Sequence, residues 1–255
     1  MSDAGVAAVV TGAGTGIGRG CAELMAKRGL HVVCVGRTAA TLDETVMSLR
    51  VAGGSGEAVV ADCATDDGRA AVLACAAAGS RRLVAFVHAA GADLVKDFAT
   101  TTPTDLDRLL DINVRAPFFL TQALLAMFAD GAGVVFVGSV SATRGRNQHS
   151  AYGASKAALI GLTANLAVEL GPRLRVNCVS PGATRTGMLR AYIKDSTRDL
   201  SPDALERLTV ADGARMPLQR VAEPIEVASS IVHLALDATA TTGVDLPVDV
   251  GYSAS

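Results

Sequence analysis

Tyr152 and Lys156 stand four positions apart in a segment of helical period, a spacing that puts a phenol and an ammonium on one face of a helix. A free phenol has a pKa of about 10, too high for efficient proton exchange at neutral pH, and an adjacent ammonium favours the phenolate and lowers that value. Upstream, Ser139 follows the apolar run Val134-Val135-Phe136-Val137-Gly138, which sets its hydroxyl at the C-terminal end of a strand. From there it could hydrogen-bond a substrate carbonyl while Tyr152 gives or takes the proton. Tyr–Lys pairs at this spacing are common on helix surfaces, so the pair alone carries no chemistry and the serine makes it a candidate.

A second cluster lies near the start of the chain. The apolar run Val6 to Thr11 leads straight into Thr11-Gly12-Ala13-Gly14-Thr15-Gly16-Ile17-Gly18, after which helical periodicity begins. A strand, a glycine turn and a helix N-terminus present backbone N–H groups and a positive dipole end to a pyrophosphate, and glycines let it approach. Gly12, Thr15, Gly16, Ile17 and Gly18 are the candidate contacts. The spacing Gly12-x-x-x-Gly16-x-Gly18 differs from G-x-G-x-x-G, and no G-x-x-x-x-G-K-[ST] occurs, which disfavours phosphoryl transfer. Where dinucleotide folds place an acidic residue for the ribose 2′-hydroxyl, the next strand ends at Gly36-Arg37, with no carboxylate before Asp43. Arg37 therefore favours NADP (NADPH), with NAD as the second choice. A solvated strand-end arginine and one stacked on adenine are the competing readings.

These residues need a scaffold, and the rest of the chain supplies one in outline. Short apolar, β-branched runs alternate with segments of helical period, the signature of a parallel sheet with crossover helices. Strands are expected at Val6 to Thr11, His31 to Val35, Ala58 to Ala61, Leu83 to His88, Val134 to Gly138, Arg175 to Val179 and Val244 to Val248. Helices are expected at Ile17 to Arg28, Thr41 to Leu49, Asp66 to Ala77, Asp105 to Phe128, Ala151 to Leu170 and Pro224 to Leu236. Pro117 should kink or interrupt the fourth of these helices. Ala183 to Met216 breaks the rhythm and reads as a helical substrate lid over the strand ends, or else as a docked helical pair.

Composition bounds the function classes. The chain has 255 residues, 50% of them hydrophobic, with formal net charge −2, which fits a single α/β domain over residues 1–255. No apolar run reaches a membrane span, and Met1 to Gly5 lacks the regions of a secretory signal, so a soluble cytoplasmic protein is expected. Scattered basic residues give no electrostatic case for nucleic acid. Cys21, Cys34, Cys63, Cys75 and Cys178 form no C-x-x-C pair and read as small apolar core residues; with His31, His88, His149 and His233 isolated in sequence, no metal is expected.

Glycine turn, strand-end serine and Tyr-x-x-x-Lys, in that order along nearly the whole chain, resemble the short-chain dehydrogenase/reductase family. Its motif T-G-x-x-x-G-x-G is matched by Thr11 to Gly18, and its catalytic serine, tyrosine and lysine by Ser139, Tyr152 and Lys156. The resemblance implies a Rossmann-type doubly wound α/β fold with a seven-stranded parallel sheet. It implies adenine contact at Asp62, with Cys63 beside it, and a catalytic asparagine at Asn113 that organises a water near the lysine. It also implies that Pro181-Gly182-Ala183-Thr184-Arg185-Thr186 holds the nicotinamide carboxamide, with Thr184 and Thr186 as the candidate side chains. One departure stands out: the family's N-N-A-G after the fourth strand reads His88-Ala89-Ala90-Gly91. Ala90 and Gly91 keep the backbone approach to cofactor, while hydrogen bonds of the first asparagine must come from His88 or elsewhere.

The implied activity is hydride exchange between nicotinamide C4 and a carbonyl or secondary alcohol, foremost an NADPH-dependent ketone reductase, with an NAD-dependent alcohol dehydrogenase second. A nucleotide-sugar epimerase or dehydratase would need a larger C-terminal substrate domain, and a cofactor-sensing regulator would not need the proton-transfer set. Asp93, Leu94 and the polar loop Ser141 to Ser150 would shape the substrate site, together with the lid. The family commonly forms tetramers through the helices matching Asp105 to Phe128 and Ala151 to Leu170, which implies a homo-oligomer here.

Overall fold

The computed structural model describes residues 5–196 and 202–254, with side chains of 192–205, 208 and 212 left aside. Seven strands form one sheet in the order β3-β2-β1-β4-β5-β6-β7. They are β1 Val6–Thr11, β2 His31–Gly36, β3 Ser55–Val60, β4 Arg82–His88, β5 Phe128–Val137, β6 Leu174–Pro181 and β7 Asp245–Val248. Every neighbouring pair is parallel. The order reverses between β1 and β4, the switch point at which such sheets open a crevice at their C-terminal edge.

Both faces are covered, as a parallel sheet requires, and alternation along each strand divides the core in two. Ala8 and Val10 of β1 look toward α1 Gly16–Lys27, α2 Ala39–Val51 and α9 Pro224–Leu236, where Cys21, Met25, Leu42, Val46, Val227 and Ile231 are buried. Ala7 and Val9 look the other way, toward α3 Asp66–Ala78, α5 Ala116–Leu124 and α6 Ser150–Leu170, with Val72, Leu120, Leu124 and Leu159 buried there. Two further helices, α7 Gly187–Ser196 and α8 Pro202–Gly213, occupy the expected insertion at 183–216, of which residues 197–201 lie outside the described residues.

Most boundaries shift by a residue or two from the sequence expectation, and three differences are larger. β3 begins at Ser55 and ends at Val60, because Gly56 belongs to the strand: a Cβ there would come 2.7 Å from the Val32 carbonyl oxygen and 2.8 Å from Leu49 Cδ1, so the apolar run understates its length. β5 starts at Phe128 and spans Gly131 and Gly133; a Cβ on Gly133 would come 2.1 Å from the Ala235 carbonyl oxygen, where the end of α9 presses on the strand. Finally, the expected helix over 105–128 is broken into four pieces. α4 Pro103–Leu110 runs into a π turn at Asp111–Arg115, then α5, then a 3₁₀ turn at Leu125–Met127. Pro117 sits in the first turn of α5, where its missing N–H costs nothing, so the irregularity falls just before it and turns Asn113 into the core.

The end of α9 is held by a buried arginine. Arg175 of β6 donates through Nη1 to the carbonyls of Leu234 (2.6 Å) and Ala238 (3.0 Å), through Nη2 to Ala235 (2.6 Å), and through Nε to Gly131 (3.3 Å). A cation thus satisfies the carbonyls that a helix C-terminus leaves orphaned, at its negative end.

Candidate functional site

A cleft of about 760 Å³ lies along the C-terminal edge of the sheet and is lined from both sides of the switch point. On one side is the glycine turn. Gly12 and Gly16 adopt φ of +68° and +53°, the left-handed region that favours glycine. A Cβ on Gly12 would lie 2.8 Å from the Ala90 nitrogen, and one on Gly18 2.3 Å from the Gly12 carbonyl oxygen, so turn, helix and the 89–90 backbone close on each other only without side chains. Thr15 caps α1 without a side-chain hydrogen bond, so the first-turn N–H groups of Gly16 and Ile17 need a ligand or water. This cradle fits a dinucleotide pyrophosphate.

Arg19, which sequence reading passed over, braces the turn. Its Nε donates to the Gly14 carbonyl and the Thr45 hydroxyl at 3.0 Å each, and its Nη2 to Thr41 (3.2 Å) and Glu44 (2.9 Å) on α2. Arg37 stands exposed on the cleft rim beside Thr38 and Thr41, without an ion-pair partner among the described residues. Asp62 and Cys63 line the same end. Asp62 Oδ1 accepts the Ala64 N–H at 3.0 Å, and burial pushes the Cys63 thiol up to about 12, which keeps it inert. Arg69, another residue unseen in sequence, fixes this loop by donating to the Cys63 and Ala64 carbonyls at 2.9 Å each.

On the other side Ser139, Tyr152 and Lys156 converge. Ser139 stands two residues past the end of β5, opens a 3₁₀ turn over Val140–Ala142, and accepts the Ser141 N–H on its hydroxyl at 3.1 Å. Tyr152 and Lys156 are 7% and 4% exposed on the first two turns of α6, with the ammonium 5.9 Å from the phenol ring centroid. Lys156 Nζ donates to the Val137 carbonyl at 2.8 Å. Asn113 is fully buried: its Nδ2 donates to the Ala92 carbonyl (3.0 Å) and the Ser155 hydroxyl (2.9 Å), and its Oδ1 accepts the Ala92 N–H (3.0 Å). Between them a side chain on Gly91 would crowd both, since a Cβ would lie 3.1 Å from Asn113 Oδ1 and 3.3 Å from Lys156 Nζ.

The acid–base balance departs from the sequence expectation. Burial pushes the Tyr152 phenol up to about 12, against smaller opposing pulls from the Ser139 hydroxyl and Arg146, and the same burial brings the Lys156 ammonium down to about 8. Desolvation outweighs the attraction expected of an adjacent cation, whose proton is itself aimed at a backbone carbonyl.

Pro181 ends β6 in the cleft and Gly182 follows it there, with Thr184 and Thr186. The Thr184 hydroxyl donates to the Gly182 carbonyl (3.0 Å), and the Thr186 hydroxyl donates to Thr184 (3.3 Å) while accepting the Leu189 N–H (3.4 Å) at the start of α7. Of the residues expected to shape the substrate site, Asp93, Ser141, Arg146, His149 and, from the expected lid, Met188 and Leu189 line the cleft, with Val95 added. Leu94 is not in the lining: its N–H turns back to Asp93 Oδ1. Gln148 is drawn away to Asp97 and Arg144 to the Ser253 carbonyl. Among the described residues no helix is long and apolar enough to cross a membrane.

Comparison with known proteins agrees with this geometry. A family model described as enoyl-(acyl carrier protein) reductase matches residues 12–253. A hydroxynaphthalene reductase-like protein of Metarhizium brunneum is 33% identical over 236 residues, 91% of this chain and 88% of its own. A short-chain dehydrogenase/reductase (glucose/ribitol dehydrogenase) from Brucella melitensis superposes with a TM-score of 0.85 at 30% identity, covering 97% of this chain and 96% of its own. The angucycline C-6 ketoreductase LanV, solved with bound NADP, does so with a TM-score of 0.87 at 28% identity, over 98% of this chain and 96% of its own. Sheet order, glycine cradle and these matches make the chain a member of the short-chain dehydrogenase/reductase family, an oxidoreductase working with NAD(P) on a CH–OH or C=O group.

Proposed function

We propose that the protein is an NADPH-dependent ketone reductase, folded as one domain with α7 and α8 as its substrate lid. The observation that carries this reading is the convergence of Ser139, Tyr152 and Lys156 beside the glycine cradle, with Arg37 unpaired on the rim. An NAD-dependent alcohol dehydrogenase is the second reading, since the same residues serve the reverse direction. When bound, the nicotinamide supplies the hydride that reaches the carbonyl carbon.

The chain's own residues supply the rest. Ser139 Oγ–H donates to the substrate carbonyl oxygen and orients it, and Tyr152 Oη–H delivers the proton to that oxygen. A phenol held near 12 is protonated throughout the neutral range, which suits a proton donor. Lys156 holds a positive charge behind the tyrosine and offers its remaining protons to the nicotinamide ribose. Asn113 fixes the backbone at Ala92 and, through its remaining Oδ1 lone pair, a relay water beside Lys156. Gly12, Thr15, Gly16, Ile17 and Gly18 take the pyrophosphate, Asp62 and Cys63 the adenine side, and Ala90, Gly91, Pro181, Gly182, Thr184 and Thr186 the nicotinamide half.

Lys156 has a depressed pKa, so it is an ammonium below about 8 and loses its charge above it. The kcat/KM for ketone reduction should therefore stay level through neutral pH and fall across that value. A pH profile that stays flat to about one unit beyond the lysine pKa would remove its charge from the mechanism.

Arg37→Asp tests the cofactor choice. Nicotinamide fluorescence titration should show NADPH affinity reduced by roughly 100-fold, because a charge-assisted contact becomes a repulsion, with NADH affinity kept or improved. A parent protein that binds NADH as well as NADPH would make the NAD-dependent alcohol dehydrogenase the better reading.

The same reading makes the protein a cytoplasmic homo-oligomer, foremost a tetramer. Phe118 and Phe119 on α5 and Val168 on α6 support it, as large side chains left 42%, 38% and 84% exposed on the helices expected at the interface.

A further inference from the structure

His88 occupies the point where this chain leaves the family pattern, and its ring makes one contact at each nitrogen. Nδ1 lies 3.0 Å from the Thr11 hydroxyl, and Nε2 lies 3.1 Å from the Ile112 carbonyl oxygen. A carbonyl only accepts, so Nε2 carries the proton and Nδ1 offers its lone pair. The Thr11 hydroxyl must then donate to Nδ1, which leaves its own oxygen to accept the Ala90 N–H at 3.1 Å. One carbonyl thus sets the direction of every bond in the chain Ala90, Thr11, His88, Ile112. Thr11 and His88 are 0% and 1% exposed, so the bond between them at the centre of the chain is shut off from solvent.

Each end of this chain bears on a different part of the site. Thr11 leads into the glycine turn, and Ala90 is the residue against which Gly12 closes. Ile112 lies in the π turn next to Asn113, whose amide grips Ala92 at both its N–H and its carbonyl. We propose that His88 is a positioning residue for the reaction, a neutral Nε2–H imidazole that locks the cofactor turn to the π turn carrying Asn113. This rests on the reductase reading and gives to the ring the work that the first asparagine would do in the family pattern. The ring is not an acid or base. Burial, with the Lys156 charge nearby, drives its pKa down to about 3, so strut and tautomer persist at every working pH.

The two bonds can be cut separately, since an asparagine amide reaches the Nδ1 position and a glutamine amide the Nε2 position. His88→Asn keeps the Thr11 bond and gives up Ile112; its kcat should fall by roughly 10-fold, more than its NADPH affinity falls. His88→Gln keeps Ile112 and gives up Thr11, and should lose cofactor affinity, by roughly 10-fold, more than kcat. Loss of stability alone would lower both quantities in proportion to the folded fraction in both variants, and that result would overturn the assignment. ¹⁵N spectra of histidine-labelled parent protein give a readout that needs neither substrate nor a stable variant. The buried ring should show a protonated Nε2 and a bare Nδ1, and a proton on Nδ1 would overturn the proposal. A parent that fails to reduce ketones while showing the expected ring signature would defeat the reductase reading and leave the strut standing.

Discussion

Tyr152→Phe should bind NADPH as the parent does and reduce ketones roughly 10³-fold more slowly, the usual share of a positioned general acid. The substitution removes one oxygen and keeps the ring. That ring is 7% exposed, meets His149 edge-on at 6.0 Å between centroids and lies under the Lys156 ammonium, contacts that phenylalanine reproduces. The cofactor cradle on the far side of the cleft does not involve the phenol, so fluorescence titration should be unchanged while turnover with an activated ketone collapses. Turnover kept in the variant would sink the proton-transfer assignment. A parent that binds NADPH and turns over no ketone would instead favour a cofactor-sensing regulator.

Arg175→Met should lower the unfolding free energy by about 3 kcal/mol or more, read from the urea midpoint at unchanged slope. The methionine fills much of the arginine's volume and supplies none of its donors. Four carbonyls, those of Leu234, Ala235, Ala238 and Gly131, then face a largely closed interior with fewer partners. Arg175→Lys should recover only part of the loss, because a point charge cannot replace a fork that spans separate carbonyls. A midpoint change worth less than about 1 kcal/mol would mean that water replaces the guanidinium there.

How much of this was visible in the sequence depends on how far each residue's partner lies along the chain. The strand at Val6 to Thr11 was legible to the residue and that at Leu83 to His88 to within one, since β4 also takes in Arg82, because apolar β-branched runs end sharply at a glycine or a polar residue. So was the union of turn, serine and Tyr-x-x-x-Lys at one sheet edge, since parallel topology forces all strand C-termini to the same side. Arg19, Arg69 and Arg175 were not. Arg175 bonds only backbone carbonyls, as far as 63 residues away, and half of Arg19's bonds and two of Arg69's three go to backbone carbonyls, an acceptor every residue carries, so no residue pattern announces them. The break in the 105–128 helix was foreseen at Pro117 and fell before it, because a proline in a first turn starts a helix as readily as it stops one. The shift of the phenol upward was hidden for a different reason: spacing reports which groups are neighbours, and burial decides how strongly each is penalised for its charge.

The contact between α1 and α9 bears on how the molecule comes to be. Gly20 of α1 faces Ala228 of α9 so closely that a Cβ on it would lie 3.0 Å from the alanine methyl. The helix that follows the glycine turn is thus completed by a segment synthesised some 200 residues later, and β1 waits for β4 before its second edge is paired. Until β4 is made, a growing chain leaves one edge of the apolar strip Val6 to Thr11 open, a stretch without charge or proline to discourage self-association.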